Sequence, residues 1–344
     1  MPPVRVEKAE RIAQSYSAKQ MQKKMTSVVI TVFEQVRTLE VLLECLESQV
    51  CPFPWEVLVT DDGSASPTLA LVRRFAERGI LDIRFVWQQN HGFRVAAARN
   101  NAIRLAVGEV LVFLDAGMLV NESFVARHTS FHKVERLLVC GTRSFTLVDE
   151  DADLADLRRR NKLNIIRTPE SDRQLLAGQS STSWVALLGC NFSVRRNPEV
   201  QFDEGFVGWG YEDREFACRL ARDYSYEVIV SPDVDAIHVS PKTGADEWQP
   251  LRNQNGSAEA IVALLRNILY FADLHPAAEM APALNLLQTF HLDPASDRWV
   301  RDMKRPESGT TLESVREWFV RNGVKLTPLT TRAEGWRPVA SANL

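Results

Sequence analysis

The chain has 344 residues, of which 45% are hydrophobic and 25% are charged. This composition is typical of a globular protein with a sizeable core, and the length exceeds that of one average domain. Its formal net charge of −3 favours neither a nucleic-acid partner nor an anionic membrane surface. The first residues lack the apolar core of a signal peptide, and no apolar run reaches transmembrane length. The five cysteines include no CxxC pair, so we expect reduced thiols and a cytoplasmic location.

Strands and helices alternate through the first half of the chain. Residues 1–25 are rich in Lys, Gln and Glu and predict a solvated helical arm. Apolar runs predict strands at 27–33, 55–60, 83–88 and 110–115, and helical spacing predicts helices at 37–49, 66–79 and 95–106. For the helix at 66–79, Ser66 is the predicted cap, Pro67 the first helical residue and Gly79 the stop. This order predicts an α/β fold with a mostly parallel central sheet flanked by helices.

Polar clusters follow three of the predicted strands. They lie at 31–34, at 61–64 and at Asp115. Each alone is equally well explained as turn residues. In a parallel sheet, however, the strands' carboxyl ends meet at one edge, where ligands bind. The coincidence of three clusters favours a binding site there.

The second half of the chain is less regular. Residues 149–182 predict a long loop, either a lid or an ordinary solvated surface. Helical patterns resume at Ala258 and continue to a last helix, for which Thr310 and Glu313 form a predicted capping box and Gly323 the stop. We therefore divide the chain into an arm (1–25), an α/β domain (26–245) and a helical C-terminal region (246–344).

The segment "FDEGFVGWGYEDREFACRLARD" (202–223) combines features of a sugar site. Trp209, between two glycines, can offer a flat face to a sugar ring. Glu212 and Asp213 begin an amphipathic helix, whose dipole keeps carboxylates ionised. An ionised, positioned carboxylate can take a proton from a sugar hydroxyl. The plainer alternative is that Trp209 is a core residue and the two acids only cap the helix.

A series of motifs then resembles a known family. The order "ITVFE", "VLVTDDGS", "HGFRVAAARNNAI", "VLVFLDAGM", "GCNFSVRR", "GWGYEDREFACRL" and "AIHVSP" is similar to family-two glycosyltransferases of the GT-A fold. The resemblance spans residues 26–241. It is nearest to the galactosyl- and N-acetylgalactosaminyl-transferase domains of bacterial chondroitin-type polymerases, and more remote from animal β-galactosyltransferases.

The resemblance implies an inverting transfer of a hexose or N-acetylhexosamine from a UDP-sugar to an acceptor hydroxyl. It makes Asp213 the general base and Glu212 a contact to sugar hydroxyls. The predicted donor site consists of Thr31, Phe33, Glu34, Asp62, Arg94, Asp115 and Trp209. The acceptor stays open among a glycan, a lipid-linked sugar, a peptide and a small molecule.

Two positions depart from the family's pattern. Gly117 stands where the second acid of the Asp-x-Asp motif would bind Mn²⁺ or Mg²⁺, and Tyr211 replaces a common glycine. His238 matches a metal-ligand histidine, although a satisfied strand histidine is the alternative. We expect a weak cation site formed by Asp115 and His238 that is filled only together with the nucleotide. A nearby acid, such as Asp233 or Asp235, is an alternative replacement for the missing ligand.

Two other functions are compatible with parts of the sequence. A non-catalytic nucleotide-sugar or glycan-binding module could derive from this fold by losing a metal ligand. The complete "GWGYED" motif argues against it, because a binder needs no base there. A nucleotidyltransferase is disfavoured, since no Gly- and Lys-rich phosphate loop lies near the first strand.

Overall fold

The computed structural model describes residues 25–149, 152–167, 183–241, 257–275, 279–302, 308–325 and 337–339. The strands are β1 (Thr26–Val32), β2 (Trp55–Asp61), β3 (Ile83–Trp87), β4 (Val110–Asp115), β5 (Met118–Leu119), β6 (Leu137–Val148), β7 (Ile165–Ile166), β8 (Asn191–Arg195), β9 (Glu227–Pro241), β10 (Phe290–Asp293), β11 (Arg298–Arg301) and β12 (Arg337–Val339). The helices are α1 (Val36–Glu47), α2 (Thr68–Glu77), α3 (Val95–Leu105), α4 (Phe124–Phe131), α5 (Leu154–Arg159), α6 (Glu212–Tyr224), α7 (Ala258–Leu274), α8 (Ala281–Leu287) and α9 (Leu312–Arg321). The predicted arm, apart from residue 25, and the predicted boundary at 245/246 lie outside the described residues, so the domain limits stay a prediction.

The first four long strands form the parallel part of the main sheet, in the order β3-β2-β1-β4. They pair in parallel because helices α1, α2 and α3 connect them as crossovers. Every residue of β1 is buried, as expected for a strand covered on both faces. The register sets Thr31 opposite both Thr60 and Asp115, so the predicted common edge is confirmed.

Beyond β4 the sheet becomes mixed. β8 is antiparallel to both β4 and β6, whereas β9 is parallel to β6. The short strand β5 begins three residues after Asp115 and pairs antiparallel with β9, which places Met118 beside His238. The α/β class with a central sheet and flanking helices is confirmed, and this reversal at β5 brings the distant histidine to the edge where β4 ends.

The C-terminal region is helical, as predicted, but it also contains β structure. Strands β10 and β11 form an antiparallel pair, and β12 joins the main sheet beside β3. Helix α7 packs into the same core cluster as β8 and α6, through residues such as Leu265, Phe192 and Phe216. The C-terminal helices are therefore part of the main core in the described residues.

Helix ends differ locally from the sequence prediction. Helix α2 begins at Thr68, so Pro67 takes the cap position predicted for Ser66; the Thr68 N–H donates to the Ser66 carbonyl oxygen at 2.8 Å. Helix α9 has its capping box at Thr311 and Ser314 rather than Thr310 and Glu313.

Thr310 is unavailable as a cap because its buried hydroxyl donates to the Phe290 carbonyl oxygen at 2.6 Å. In the predicted loop 149–182, the described residues include helix α5 and strand β7. The loop prediction was therefore wrong for those residues, while residues 168–182 lie outside the described part.

All five cysteines are free thiols, and burial raises the pKa of several of them, Cys190 to about 11. Such thiols stay protonated at neutral pH and act as small core residues. Among the described helices, none has the length and apolar character to cross a membrane. The cytoplasmic location stays a prediction.

Candidate active site

The ends of β1 and β4 are joined by a hydrogen bond. The Thr31 hydroxyl donates to Asp115 Oδ1 at 2.5 Å, as their register positions require. The Asp115 side chain is 39% exposed and Phe33, the residue directly after β1, is 43% exposed, so both face the space beyond the sheet edge. Among the described residues nothing donates to Asp115 Oδ2, which leaves that oxygen for a ligand.

The turn after β2 is tied to the turn after β1. Asp61 Oδ1 accepts from the N–H groups of Gly63 and Ser64, at 3.1 and 2.8 Å. The Glu34 N–H donates to Ser64 Oγ at 2.9 Å, and Glu34 Oε1 accepts from the Ala65 N–H at 2.6 Å. Two of the predicted clusters therefore form one hydrogen-bonded unit, in which Glu34 has a structural part.

Asp62 lies beneath the segment that leads to α3. Its Oδ2 accepts from the Arg94 N–H at 2.7 Å and its Oδ1 accepts from the Gln88 amide. Burial raises the pKa of Asp62 to about 6, although these hydrogen bonds oppose the shift. Gly63, at φ +91°, could bear no side chain, since a Cβ would lie 2.4 Å from the Asn90 nitrogen. Asp62 thus fixes the backbone that places Arg94, and its predicted contact to the base stays a prediction.

Arg99, which the sequence analysis missed, joins the two halves of the site. Its side chain is 2% exposed and donates to Asp115 Oδ1 (3.3 Å), Glu212 Oε1 (3.1 Å) and the Gly189 carbonyl oxygen (3.0 Å). Burial lowers the pKa of Arg99, but the charges of Asp115 and Glu212 outweigh it and raise the pKa overall, so Arg99 stays charged. The sequence "VAAAR" could have indicated a buried arginine, because Arg99 follows three alanines on a buried helix face.

The two predicted acidic residues differ in environment. Asp213 is half-buried, and its Oδ2 accepts from the Gly189 N–H at 2.9 Å. Glu212 is buried; burial and the adjacent Asp213 charge raise its pKa above the usual range, while Arg99 opposes the rise. A base must reach the proton that it removes. Asp213 is the more accessible of the two acids and is therefore the better candidate for a base.

The Gly-Trp-Gly turn is held from the C-terminal region. Gly208 and Gly210 have φ of +76° and +96°, values that favour glycine. The buried Asn267 of α7 donates to the Gly210 carbonyl oxygen at 2.7 Å, and a Cβ on Gly208 would lie 2.6 Å from the Ala263 Cβ. Helix α7 therefore sets the conformation of the turn that precedes the acids.

Tyr211 also has a left-handed backbone, with φ +75°. This conformation costs a tyrosine about 1–3 kcal/mol. The ring is buried edge-on against Phe271, with ring centres 5.1 Å apart, and this packing offsets the strain. Trp209 is half-buried and packs against the core cluster, so part of its surface is exposed.

The space beside Gly117 contains polar atoms of two other residues. A Cβ on Gly117 would lie 3.5 Å from Gln35 Oε1 and 3.6 Å from His238 Nε2. The His238 ring packs edge-on against Phe145, and its Nδ1 lies 3.1 Å from Ser240 Oγ. The orientation of His238 thus directs Nε2 towards the position of the missing acid. Gln35 was not foreseen from the sequence.

Neither proposed replacement acid takes that space. Asp235 accepts from the hydroxyls of Thr142 and Ser144, at 2.7 and 3.0 Å, and Asp233 lies on the exposed side of β9. Among the described residues no three His, Cys, Asp or Glu side chains are grouped to hold a metal ion. An amide oxygen, an imidazole and the Asp115 carboxylate fit a divalent cation, but only as a partial ligand set.

The chain is similar in sequence to known glycosyltransferases. Residues 27–189 match the family described as "Glycosyl transferase family 2". The chain is 27% identical to a chondroitin synthase from Escherichia coli over 266 residues, which is 70% of this chain and 38% of that protein. The chain spans less than half the length of this chondroitin synthase and of two other relatives, a hyaluronan synthase and a validoxylamine A glucosyltransferase.

Two solved structures share the fold. The mannosyltransferase PcManGT from Pyrobaculum calidifontis superimposes with a TM-score of 0.51 at 18% identity, over 81% of this chain and 74% of the other. GalNAc-T7 superimposes with a TM-score of 0.53 at 17% identity, over 90% and 56% of the two chains.

The fold of this chain is that of GT-A glycosyltransferases. More particularly, residues 27–189 of this chain are similar to family-two glycosyltransferases, as the resemblance in its motifs predicted.

Proposed function

We propose that the protein is an inverting glycosyltransferase that moves a hexose or N-acetylhexosamine from a UDP-sugar to an acceptor hydroxyl. The observation that carries this proposal is the arrangement around Arg99. This buried cation contacts both Asp115, at the strand edge, and Glu212, at the start of α6. A donor bound at the edge would therefore have its sugar next to Asp213.

The donor would lie across the ends of β1, β2 and β4. Thr31, Phe33, Asp62 and Arg94 would surround the nucleotide, and Asp115 Oδ2 would contact the ribose. Among the fold neighbours, GalNAc-T7 is described with UDP, GalNAc and Mn²⁺, and PcManGT with GDP-mannose and Mn²⁺. The resemblance to chondroitin-type polymerases favours UDP, and a comparison of UDP with GDP by calorimetry tests that choice.

The transfer is a single displacement. Asp213 takes the proton of the acceptor hydroxyl, and the hydroxyl oxygen attacks the anomeric carbon on the face opposite the diphosphate. The bond from that carbon to the diphosphate oxygen breaks, UDP leaves with the electron pair, and the configuration inverts through an oxocarbenium-like transition state. The positive charge of Arg94 would stabilise the leaving diphosphate. Glu212, held by Arg99, would orient the sugar hydroxyls.

A divalent cation, when bound, would add positive charge at the diphosphate. Asp115, His238 and Gln35 would hold it through oxygen and nitrogen atoms. Because this set has a single carboxylate, we expect Mn²⁺ to bind only in the presence of UDP.

Titration of Mn²⁺ into the protein with and without UDP measures this dependence. Gly117→Asp restores a second acid and should make Mn²⁺ binding independent of the nucleotide. Micromolar binding to the unmodified protein alone would contradict the partial set. Full turnover in EDTA would show that Arg94 and backbone amides stabilise the leaving diphosphate without a metal ion.

The alternative is a module that binds nucleotide sugars or glycans without catalysis. Incubation of UDP-galactose and UDP-N-acetylhexosamines with an acceptor library separates the two functions. New glycosidic products of inverted configuration support the transferase. Tight UDP-sugar binding with neither transfer nor hydrolysis supports the module. Because the chain covers under half the length of the hyaluronan and chondroitin synthases that it resembles, the proposal is limited to one transfer reaction.

A further inference from the structure

A chain of hydrogen-bonded side chains leads from the surface to the buried Asp62. Arg104, in the last turn of α3, donates to Asn101 Oδ1. Asn101 Nδ2 donates to Gln88 Oε1 at 2.8 Å, and Gln88 Nε2 donates to Asp62 Oδ1. Both amides are buried, whereas the Arg104 side chain is 44% exposed. The mechanism described above uses none of Gln88, Asn101 and Arg104.

The direction of every hydrogen bond in this chain is fixed by its first residue. A guanidinium group can only donate. The Asn101 oxygen must therefore face Arg104, and its NH₂ group must face Gln88. In the same way, the Gln88 oxygen faces Asn101 and its NH₂ group faces Asp62. The chain thus presents a donor to Asp62 Oδ1 and favours the charged form of that acid.

Asp62 keeps part of its acceptor capacity for a ligand. Its Oδ2 accepts from the Arg94 N–H at 2.7 Å and its Oδ1 accepts from Gln88, while a carboxylate offers about four acceptor positions. The Asp62 N–H donates to the Val32 carbonyl oxygen at 3.0 Å, so residue 62 lies beside the end of β1, where the exposed Phe33 follows. A flat ring next to a buried acceptor fits a planar heterocycle that presents an N–H group.

The charged state of Asp62 depends on opposing influences. Burial raises its pKa to about 6, and the charge of Asp61 adds to this rise. The Arg94 N–H, the Gln88 amide and the Arg94 charge oppose it. Loss of a hydrogen bond to a charged group is enough to move a pKa by at least about one unit. Without the Gln88 donor, a substantial share of Asp62 would therefore be protonated at neutral pH.

Protonation would change which base the carboxyl group can recognise. A carboxylate only accepts, so it pairs with the ring N–H of uracil and repels the bare ring nitrogen of cytosine. A protonated carboxyl group can donate to that nitrogen and accept from the neighbouring amino group. The charge of Asp62 therefore decides between two pyrimidines of nearly the same size and shape.

We propose that Gln88 is a positioning residue for the nucleotide. With Asn101 and Arg104 it keeps Asp62 a charged acceptor, so that the site takes a base with a ring N–H and rejects cytosine. Gln88 acts through Asp62 rather than on the nucleotide. This selectivity rests on the proposed donor site at the strand edge.

Calorimetry with UDP and CDP tests the selectivity in the unmodified protein. At about pH 7.5, where Asp62 is charged, we expect UDP to bind at least about tenfold more tightly than CDP, since cytosine leaves the acceptor unmatched. Equal affinity for the two nucleotides at this pH overturns the proposal.

Gln88→Met removes the amide and keeps the length of the side chain. The pH below which UDP affinity falls should rise from about 6 to about 7 or higher, and the affinity should recover at about pH 8.5. At about pH 6.5 the preference for UDP over CDP should shrink by about threefold or more.

Gln89→Met is the matched control, because Gln89 is the exposed neighbour of Gln88. Its pH profile should match that of the unmodified protein. Ionisation of the diphosphate affects all three proteins alike. A loss of UDP affinity in Gln88→Met that is the same at every pH would assign Gln88 to the fold alone and overturn the proposal.

Asn101→Ala acts one residue further from Asp62. It keeps the Gln88 amide but leaves it free to flip, so we expect a smaller shift of the pH profile in the same direction. If Gln88→Met does not fold, Asn101→Ala decides alone. An unshifted profile in Asn101→Ala would then overturn the proposal.

Transfer activity separates failure of this inference from failure of the proposed function. Transfer from a UDP-sugar, combined with equal affinity for UDP and CDP, would leave the transferase intact and remove the selectivity. Binding of neither nucleotide, with no transfer from any UDP-sugar, would contradict the proposed function and this inference with it.

Discussion

The strand edge and the Gly-Trp-Gly turn are held in place in different ways. At the strand edge, the turns after β1 and β2 bond to each other, and Asp62 bonds to the segment just before α3. The Gly-Trp-Gly turn depends instead on α7, through Asn267 and Ala263. The edge is thus a property of the parallel sheet, whereas the Gly-Trp-Gly turn needs the C-terminal region. We expect donor binding and transfer to respond separately to substitution.

Asp213→Asn should give the largest effect, and it should fall on transfer alone. The amide keeps the shape of the carboxylate but cannot take a proton, so we expect kcat to fall by about two to four orders of magnitude. UDP affinity, measured by calorimetry, should not change. Asp223→Asn, at the exposed end of the same helix, is the matched control. Near-normal turnover in Asp213→Asn would indicate that Glu212, and not Asp213, is the base.

Arg99→Met tests the residue that contacts both regions. Removing this buried cation leaves Asp115 and Glu212 without their partner, which should lower the free energy of unfolding by about 3–5 kcal/mol in urea. The equivalent substitution Arg78→Met breaks a partly exposed pair with Glu47 and should cost at most about 1 kcal/mol. Equal losses in the two variants would show that Glu212 is protonated and needs no partner.

Gly208→Ala acts on the contact between the turn and α7. The new Cβ would meet Ala263 at 2.6 Å on a backbone with φ +76°, so we expect a loss of about 1–3 kcal/mol in stability and lower turnover at unchanged UDP affinity. Gly92→Ala, at φ +83° with no atom within 4 Å, measures the backbone strain alone. Combining Gly208→Ala with Ala263→Gly should restore turnover, although the glycine in helix α7 costs about 1 kcal/mol of stability. If turnover stays low in the double variant, the contact does not control the turn.

Asp62→Ala should give the smallest effect on function: a loss of about 1–3 kcal/mol in UDP binding by calorimetry. The pKa of about 6 predicts a pH dependence as well. UDP affinity should fall as the pH drops below about 6, when the carboxyl group is protonated and accepts less well from the base. Asp62→Asn should bind UDP with the same affinity at pH 5 and pH 7.5. Unchanged affinity in Asp62→Ala would remove Asp62 from the donor site.

Stability should respond to Asp62 in the opposite direction. Its pKa in the folded protein, about 6, lies above the ordinary 3.8, so the folded state binds the proton more tightly. The contribution of Asp62 to stability is therefore greatest below about pH 4 and declines as the pH rises to about 6. Asp62→Asn should flatten this part of the stability profile, measured by urea denaturation.

The strand edge could be predicted from the sequence because its signals are local. Apolar runs end in polar residues, and parallel pairing then brings Thr31 and Asp115 together. The role of α7 could not be predicted, since Asn267 and Gly210 are distant in the chain and no local pattern links them. Arg99 was missed because a charged residue in a helix is usually on the surface. The capping box shifted to Thr311 because a distant carbonyl oxygen bonds the Thr310 hydroxyl.

The short strand β12 has a consequence for solubility. It pairs with β3 and so covers what would otherwise be an open sheet edge with free N–H and C=O groups. β12 is itself a poor template for a further strand, because it is only three residues long and Pro338 has no N–H to offer. Protection against aggregation thus comes from a segment with no part in the chemistry. Without residues 337–339, β3 would present its backbone to other chains.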